Sequence, residues 1–139
     1  YNANPASMRA ALTSLKQRGS GRRLVALGQM LEIGDTSDAE HAGLAAAVVE
    51  TGAAGVFLAG DKMTHLAEAL PPGLQQVWAP KAEELQGAVE NALQAGDVLL
   101  IKGSNASGMG KLADRLRQWS ASAGMGKMVS GAEGAAGVR

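Results

Sequence analysis

What most constrains this chain is an alternation: short aliphatic or β-branched runs separated by longer segments of helical periodicity. Residues 24–27 (Leu-Val-Ala-Leu), 56–59 (Val-Phe-Leu-Ala) and 98–101 (Val-Leu-Leu-Ile) are uninterrupted apolar runs, as expected of strands buried on both faces. Helical patterns lie between them. This order predicts βαβ units and an α/β domain of three layers, a mostly parallel sheet with helices on both faces.

The punctuation agrees with that order. Asn4-Pro5 opens a helix reaching to about Arg18, with Met8, Ala11, Leu12 and Leu15 at helical spacing, and Gly19-Ser20-Gly21 closes it. Asn4 is placed to accept hydrogen bonds from the first free N–H groups of that helix, which leaves Asn2 to face a ligand. After the loop 28–34, Asp35-Thr36-Ser37 offers capping side chains for one helix over 38–51, ended by Gly52. A shorter helix follows Gly60-Asp61 and must stop at Pro71-Pro72-Gly73. Residues 76–78 read as a weak strand, Pro80 opens a helix over 81–94, and the last helix is expected over 106–119. From Ser120 glycine recurs without apolar periodicity, which predicts one domain over 1–119 and a disordered tail over 120–139.

Composition excludes several functions. With 13 basic and 13 acidic residues the formal net charge is zero, so no electrostatic footprint for nucleic acid or an anionic membrane exists. The apolar stretches fall far short of the roughly 20 residues a spanning helix needs, and a soluble chain is expected. Cysteine is absent, removing thiolate chemistry and fitting a reducing cytoplasm. His41 and His65 stand apart without a paired carboxylate motif, so no metal site is expected, and both read as solvated surface histidines. There is no P-loop, no Ser-His-Asp or Cys-His arrangement and no credible pair of catalytic carboxylates. No catalytic residue is assigned.

In an open α/β sheet, ligands bind beyond the carboxyl ends of the strands, which selects the segments 1–7, 28–36, 60–62 and 102–109. Lys102-Gly103-Ser104-Asn105 offers an ammonium, a hydroxyl, a carboxamide and free N–H groups to a carboxylate or phosphate. Read from the residues alone, Lys102 extending to solvent and Ser104 capping the next helix stay open. In the loop 28–34, Gly28 permits close approach of backbone to a ligand, and Glu32 supplies a carboxylate that solvent would serve equally well.

Taken together, Tyr1-Asn2-Ala3-Asn4-Pro5, Ala10-Ala11-Leu12, residues 26–34 and the strand end Val98-Leu99-Leu100-Ile101-Lys102-Gly103-Ser104 resemble the Rossmann-like C-terminal domain of the Mur ligases, and within them the MurF type. The resemblance covers residues 1–119. It implies the substrate- and nucleotide-closing part of an ATP-dependent ligase. That ligase joins D-alanyl-D-alanine to UDP-N-acetylmuramoyl-tripeptide, through an acyl phosphate, in peptidoglycan synthesis. ATP and Mg2+ would serve the full-length enzyme and be bound mainly outside this chain. The implied partners are the N-terminal and central domains of the same polypeptide, and a monomer is expected. Asn2 and Asn4 would face nucleotide or substrate, Lys102, Gly103 and Ser104 the dipeptide carboxylate, and Gly28, Gln29, Glu32 and His41 would be loop contacts. Where the family usually has Gly-Asp-Met, this chain has Gly28-Gln29-Met30, which removes the charge a magnesium-linked or lysine-pairing role would use. The chain opens inside the Asn-Ala-Asn-Pro motif, so a piece of a longer ligase, with one sheet strand missing, is expected. A non-enzymatic module sharing only the fold is the alternative.

Overall fold

The structure is a computed structural model that describes residues 3–18, 21–31 and 33–123, and the backbone of 127–130. The helices are α1 Pro5–Lys16, α2 Ser37–Ala42, α3 Ala45–Glu50, α4 Met63–Ala69, α5 Gln86–Ala92 and α6 Met109–Ala123. The strands are β1 Arg23–Gly28, β2 Gly55–Ala59, β3 Gln76–Ala79, β4 Val98–Lys102 and β5 Lys127–Ser130. They form one parallel sheet in the order β3-β2-β1-β4-β5, with Leu24 opposite both Gly55 and Leu99.

Both faces of the sheet are covered, because alternate residues of each strand point to opposite sides. Val25, Leu27, Val56, Leu58 and Leu100 face α1, α3 and α4, where they meet Met8, Leu12, Val48 and Leu66. Leu24, Ala26, Phe57, Leu99 and Ile101 face α5 and α6, where they meet Val89, Leu112 and Leu116. Chain order reverses between β1 and β4, which makes the loops after these two strands the switch point of the sheet.

Helix α1 begins as its sequence predicts. The Asn4 side chain accepts from the Ser7 N–H at 2.8 Å, the Ser7 hydroxyl accepts from the Asn4 N–H at 3.0 Å, and Pro5 occupies the first turn. Its other end is held by Arg23, whose guanidinium donates to the carbonyls of Leu15, Lys16 and Arg18 at 2.7–3.1 Å. Because Arg23 begins β1, the capped start of α1 lies toward the opposite, carboxyl edge of the sheet.

Three expectations are corrected. The helix over 38–51 is two, α2 and α3, since the chain turns at Gly43 and sends Leu44 into the core. A 3-10 turn, Gly34–Thr36, leads into α2, and Thr36 makes no side-chain cap. The segment 120–139 is not wholly a tail. Helix α6 continues to Ala123, and Lys127–Ser130 pairs in parallel with β4, from Val98 opposite Lys127 to Ile101 opposite Ser130. A strand edge recruits a partner through backbone N–H and C=O groups alone, so apolar periodicity is no guide there. The remaining residues of the expected tail, and Asn2 and Glu32, lie outside the described residues.

Candidate functional site at the carboxyl edge of the sheet

The loops after β1, β2 and β4 converge, and they are joined by side chains that each take a backbone N–H from a neighbouring segment. Gln29 follows β1, and its Oε1 accepts from the Lys62 N–H, beyond β2, at 3.0 Å. Its carboxamide packs against Gly60, where a Cβ would come within 2.6 Å of Gln29 Oε1 and where φ is +106°. The Gly60 carbonyl in turn accepts from Trp78 Nε1 at 2.7 Å, which ties β3 to the same corner.

Ser104 does the same from the β4 side. Its hydroxyl accepts from the Leu31 N–H at 2.7 Å, its own N–H donates to the Gln29 carbonyl at 3.2 Å, and the residue is 1% exposed. It makes no side-chain cap on the following 3-10 turn, Asn105–Ser107. Gly28 and Gly103 face one another across this switch point. A Cβ on Gly28 would lie 2.5 Å from Met109 Cγ, and one on Gly103 would lie 2.6 Å from Ser107 Oγ and 3.0 Å from Gly28 Cα. These glycines admit the protein's own side chains, so the close approach expected of Gly28 is to Ser107 and Met109. Lys102, half-buried, is the last residue of β4.

His41 departs most from its expected surface position, for it is 0% exposed. The Met30 N–H donates to its Nε2 at 2.9 Å, which fixes the ring proton on Nδ1, and Nδ1 donates to the Ser37 carbonyl at 2.6 Å. Burial holds its pKa below the ordinary histidine value; the Ser37 carbonyl and the Asp38 carboxylate oppose that shift, and the Lys62 ammonium reinforces it. His41 is therefore a neutral strut between α2 and the β1 loop. His65 is not simply solvated: its Nε2 lies 3.3 Å from Asp38 Oδ1, which also accepts from Lys62 Nζ at 2.7 Å. The bond from Lys62 holds the Asp38 carboxyl below its usual range.

The structure thus brings Gly28, Gln29, Gly103, Ser104 and, through Met30, His41 into one cluster, whereas Asn4 stands apart at the exposed start of α1. Among the described residues no three His, Asp or Glu side chains converge as a metal site, and no helix is long and apolar enough to cross a membrane. Beside the cluster lies a cavity of about 380 Å³ bounded by Gln29, Gly60, Lys81, Ser107, Lys111 and Arg115. Lys81, Lys111 and Arg115 were not singled out by sequence; the usable signal was Lys111 and Arg115 at i, i+4, one helix face just after a strand-end loop.

A parallel sheet of order β3-β2-β1-β4-β5 with a braced carboxyl edge defines an open α/β domain. The model of the family described as Mur ligase, glutamate ligase domain, matches residues 1–105, and the chain belongs to that family. It is 32% identical over 114 residues to the UDP-N-acetylmuramoyl-tripeptide--D-alanyl-D-alanine ligase of Rickettsia prowazekii, which spans 82% of this chain and 25% of the relative. Identity to the ligase of the same name from Synechocystis is 36% over 117 residues, 84% of this chain and 26% of the relative. Among solved structures, MurF from Acinetobacter baumannii superposes with a TM-score of 0.74 at 28% identity, covering 85% of this chain and 26% of that one. MurF of Thermotoga maritima, solved in complex with ADP, shares the fold at a TM-score of 0.69 and 20% identity. The chain thus spans about a quarter of the length of the relatives it matches.

Proposed function

We propose that this chain is the C-terminal, substrate- and nucleotide-closing domain of an ATP-dependent ligase that adds D-alanyl-D-alanine to UDP-N-acetylmuramoyl-tripeptide in peptidoglycan synthesis. The observation that carries the proposal is the convergence of the β1, β2 and β4 loops into one braced edge, in a chain that matches only about a quarter of the length of its relatives of that name. Phosphoryl transfer needs a cradle for the β/γ-phosphates and a held magnesium ion. On this reading ATP and Mg2+ are held mainly by the remainder of the ligase, where that cradle lies. This domain's part is to orient the incoming dipeptide and exclude water when the N-terminal and central domains close on it. Lys102 at the end of β4 supplies the charge for the dipeptide carboxylate, and Asn4, at the start of α1, faces nucleotide or substrate, the role the resemblance also implies for Asn2.

The test uses the full-length polypeptide that carries this chain. Phosphate release from ATP is expected only with both D-alanyl-D-alanine and the nucleotide tripeptide present, and Lys102→Ala is expected to raise the KM for the dipeptide more than that for ATP. Release that does not depend on the dipeptide would overturn the function, and an unchanged dipeptide KM would overturn the role of Lys102.

A further inference from the structure

The place where an open α/β sheet ordinarily takes its ligand, the crevice between the loops after β1 and β4, is filled here by the protein itself. Ser107 and Met109 pack against Gly28 and Gly103, and Ser104 is bonded to both Leu31 and Gln29. The open volume lies one step along the edge, on the α6 face, above the ends of β2 and β3. Its floor is small and apolar, made by Ala59, Ala82 and Leu112. Two walls are fixed by a close approach: Gly108 has φ +84°, and a Cβ there would lie 3.3 Å from Ala82 Cβ.

The rim is cationic although the chain as a whole is neutral. Lys81 enters from the turn after β3, while Lys111 and Arg115 enter from one face of α6, against a single carboxylate, Glu83. None of these four forms an ion pair among the described residues, whereas Lys62, Arg22 and Arg117 each have one. The Gln29 side chain adds an amide nitrogen, since only its oxygen is engaged, by Lys62. Like charges converging on one concavity repel unless an anion joins them, and a guanidinium beside two ammonium groups suits the planar fork of an oxyanion.

We propose that this cavity is a binding site for an oxyanion, carboxylate or phosphate, carried on a small organic body. Lys81, Lys111 and Arg115 supply the charge, Gln29 a neutral donor and Ala59, Ala82 and Leu112 the apolar floor. At about 380 Å³ it is within the range of small-molecule sites and larger than a bare phosphate requires. The proposal does not rest on the ligase reading, because it concerns charge and shape within this chain.

The experiment is a titration of the 15N-labelled chain followed by 1H–15N correlation spectra, at constant ionic strength, with three probes: inorganic pyrophosphate, ADP and D-alanyl-D-alanine. At least one probe is expected to saturate, with the largest shifts at residues 81–83 and 108–115. Saturation by pyrophosphate or ADP assigns the oxyanion to a phosphate; saturation by D-alanyl-D-alanine assigns it to a carboxylate. Lys111→Ala and Arg115→Ala, both exposed changes that leave the core intact, are each expected to weaken binding about tenfold, as loss of a charge-assisted hydrogen bond does. Lys16→Ala, at the far end of α1, is expected to leave binding unchanged. Absence of saturation with all three probes, equal weakening by Lys16→Ala, or shifts centred on residues 102–104 would overturn the site. None of those results touches dipeptide-dependent phosphate release by the full-length protein, so the two proposals fail separately.

Discussion

Replacing His41 by alanine tests the bracing of the carboxyl edge most directly. The ring is fully buried, accepts from the Met30 N–H at 2.9 Å and donates to the Ser37 carbonyl at 2.6 Å. Met30 is itself buried, so its N–H would lose its acceptor out of reach of solvent, at about 1–3 kcal/mol. Truncating a buried aromatic ring adds about 3 kcal/mol at the lower end of the phenylalanine range, which suits the smaller imidazole. The sum, roughly 4–6 kcal/mol, is a large fraction of the 5–15 kcal/mol that holds a typical domain together. With a urea slope of about 2 kcal/mol/M the midpoint should fall by about 2–3 M. The Met30 and Leu31 amides should also lose hydrogen-exchange protection ahead of the sheet. Because His41 is held neutral in the fold, the unfolded chain binds more protons as pH falls. Its contribution is therefore complete above the ordinary histidine value of 6.5 and is lost as pH drops below it toward the lower folded value. His41→Gln, which keeps an acceptor for Met30, should retain part of the stability and flatten this slope. A loss below about 1 kcal/mol for His41→Ala, with Met30 still protected, would refute the strut.

Other perturbations probe different contacts. Gly28→Ala should cost about 1–3 kcal/mol, because the new methyl meets Met109 Cγ at 2.5 Å and must displace it; an unchanged melting temperature would mean that α6 shifts freely. At the opposite edge, buried Asp97 accepts from Arg22 Nε and Nη2 at 3.1 and 2.7 Å and from the Gln94 N–H at 2.8 Å. Burial opposes its ionisation, but Arg22 and Gln94 outweigh that and hold its carboxyl below the usual range. Stability from this group is therefore present above pH 3.8 and is lost as pH falls through its lower folded value; Asp97→Ala should remove that acid sensitivity, which urea titrations at pH 3 and pH 6 would detect. Finally, the isolated chain should release no phosphate from ATP with magnesium, D-alanyl-D-alanine and the nucleotide tripeptide. Sustained release that survives repurification would place a catalytic centre within these residues.

Much of the fold was legible because parallel strands covered on both sides need no alternation: residues 24–27, 56–59 and 98–101 announce themselves as apolar runs. Asn4 and Pro5 were legible for a local reason, since a helix start is decided by its own first turn. Strand β5 was not, because it is held by the backbone edge of β4. The burial of His41 was within reach. Its immediate neighbours Asp38, Ala39 and Glu40 suggest a surface, yet His41, Leu44, Ala45 and Val48 recur at i, i+3, i+4 and i+7, and three of those four are fully buried. The polar residue on an apolar stripe was the signal, and sequence proximity to charges obscured it.

The residues that sequence chemistry marks as ligand donors are, at this edge, mostly acceptors for the protein's own backbone. Gln29, His41 and Ser104 each take an N–H from another segment, from Lys62, Met30 and Leu31 respectively. A single-sequence reading sees a hydroxyl, a carboxamide and an imidazole and has no means of knowing that a backbone N–H of another segment will claim each of them. The physical consequence is preorganisation. Loops already cross-braced lose little conformational freedom when a ligand binds, so binding energy is not consumed in ordering them. It follows that changes at Gln29, His41 and Ser104 should act on stability and on every ligand together. Changes at Lys81, Lys111 and Arg115, whose charges are unpaired within the described residues, should act on ligand binding with the fold intact.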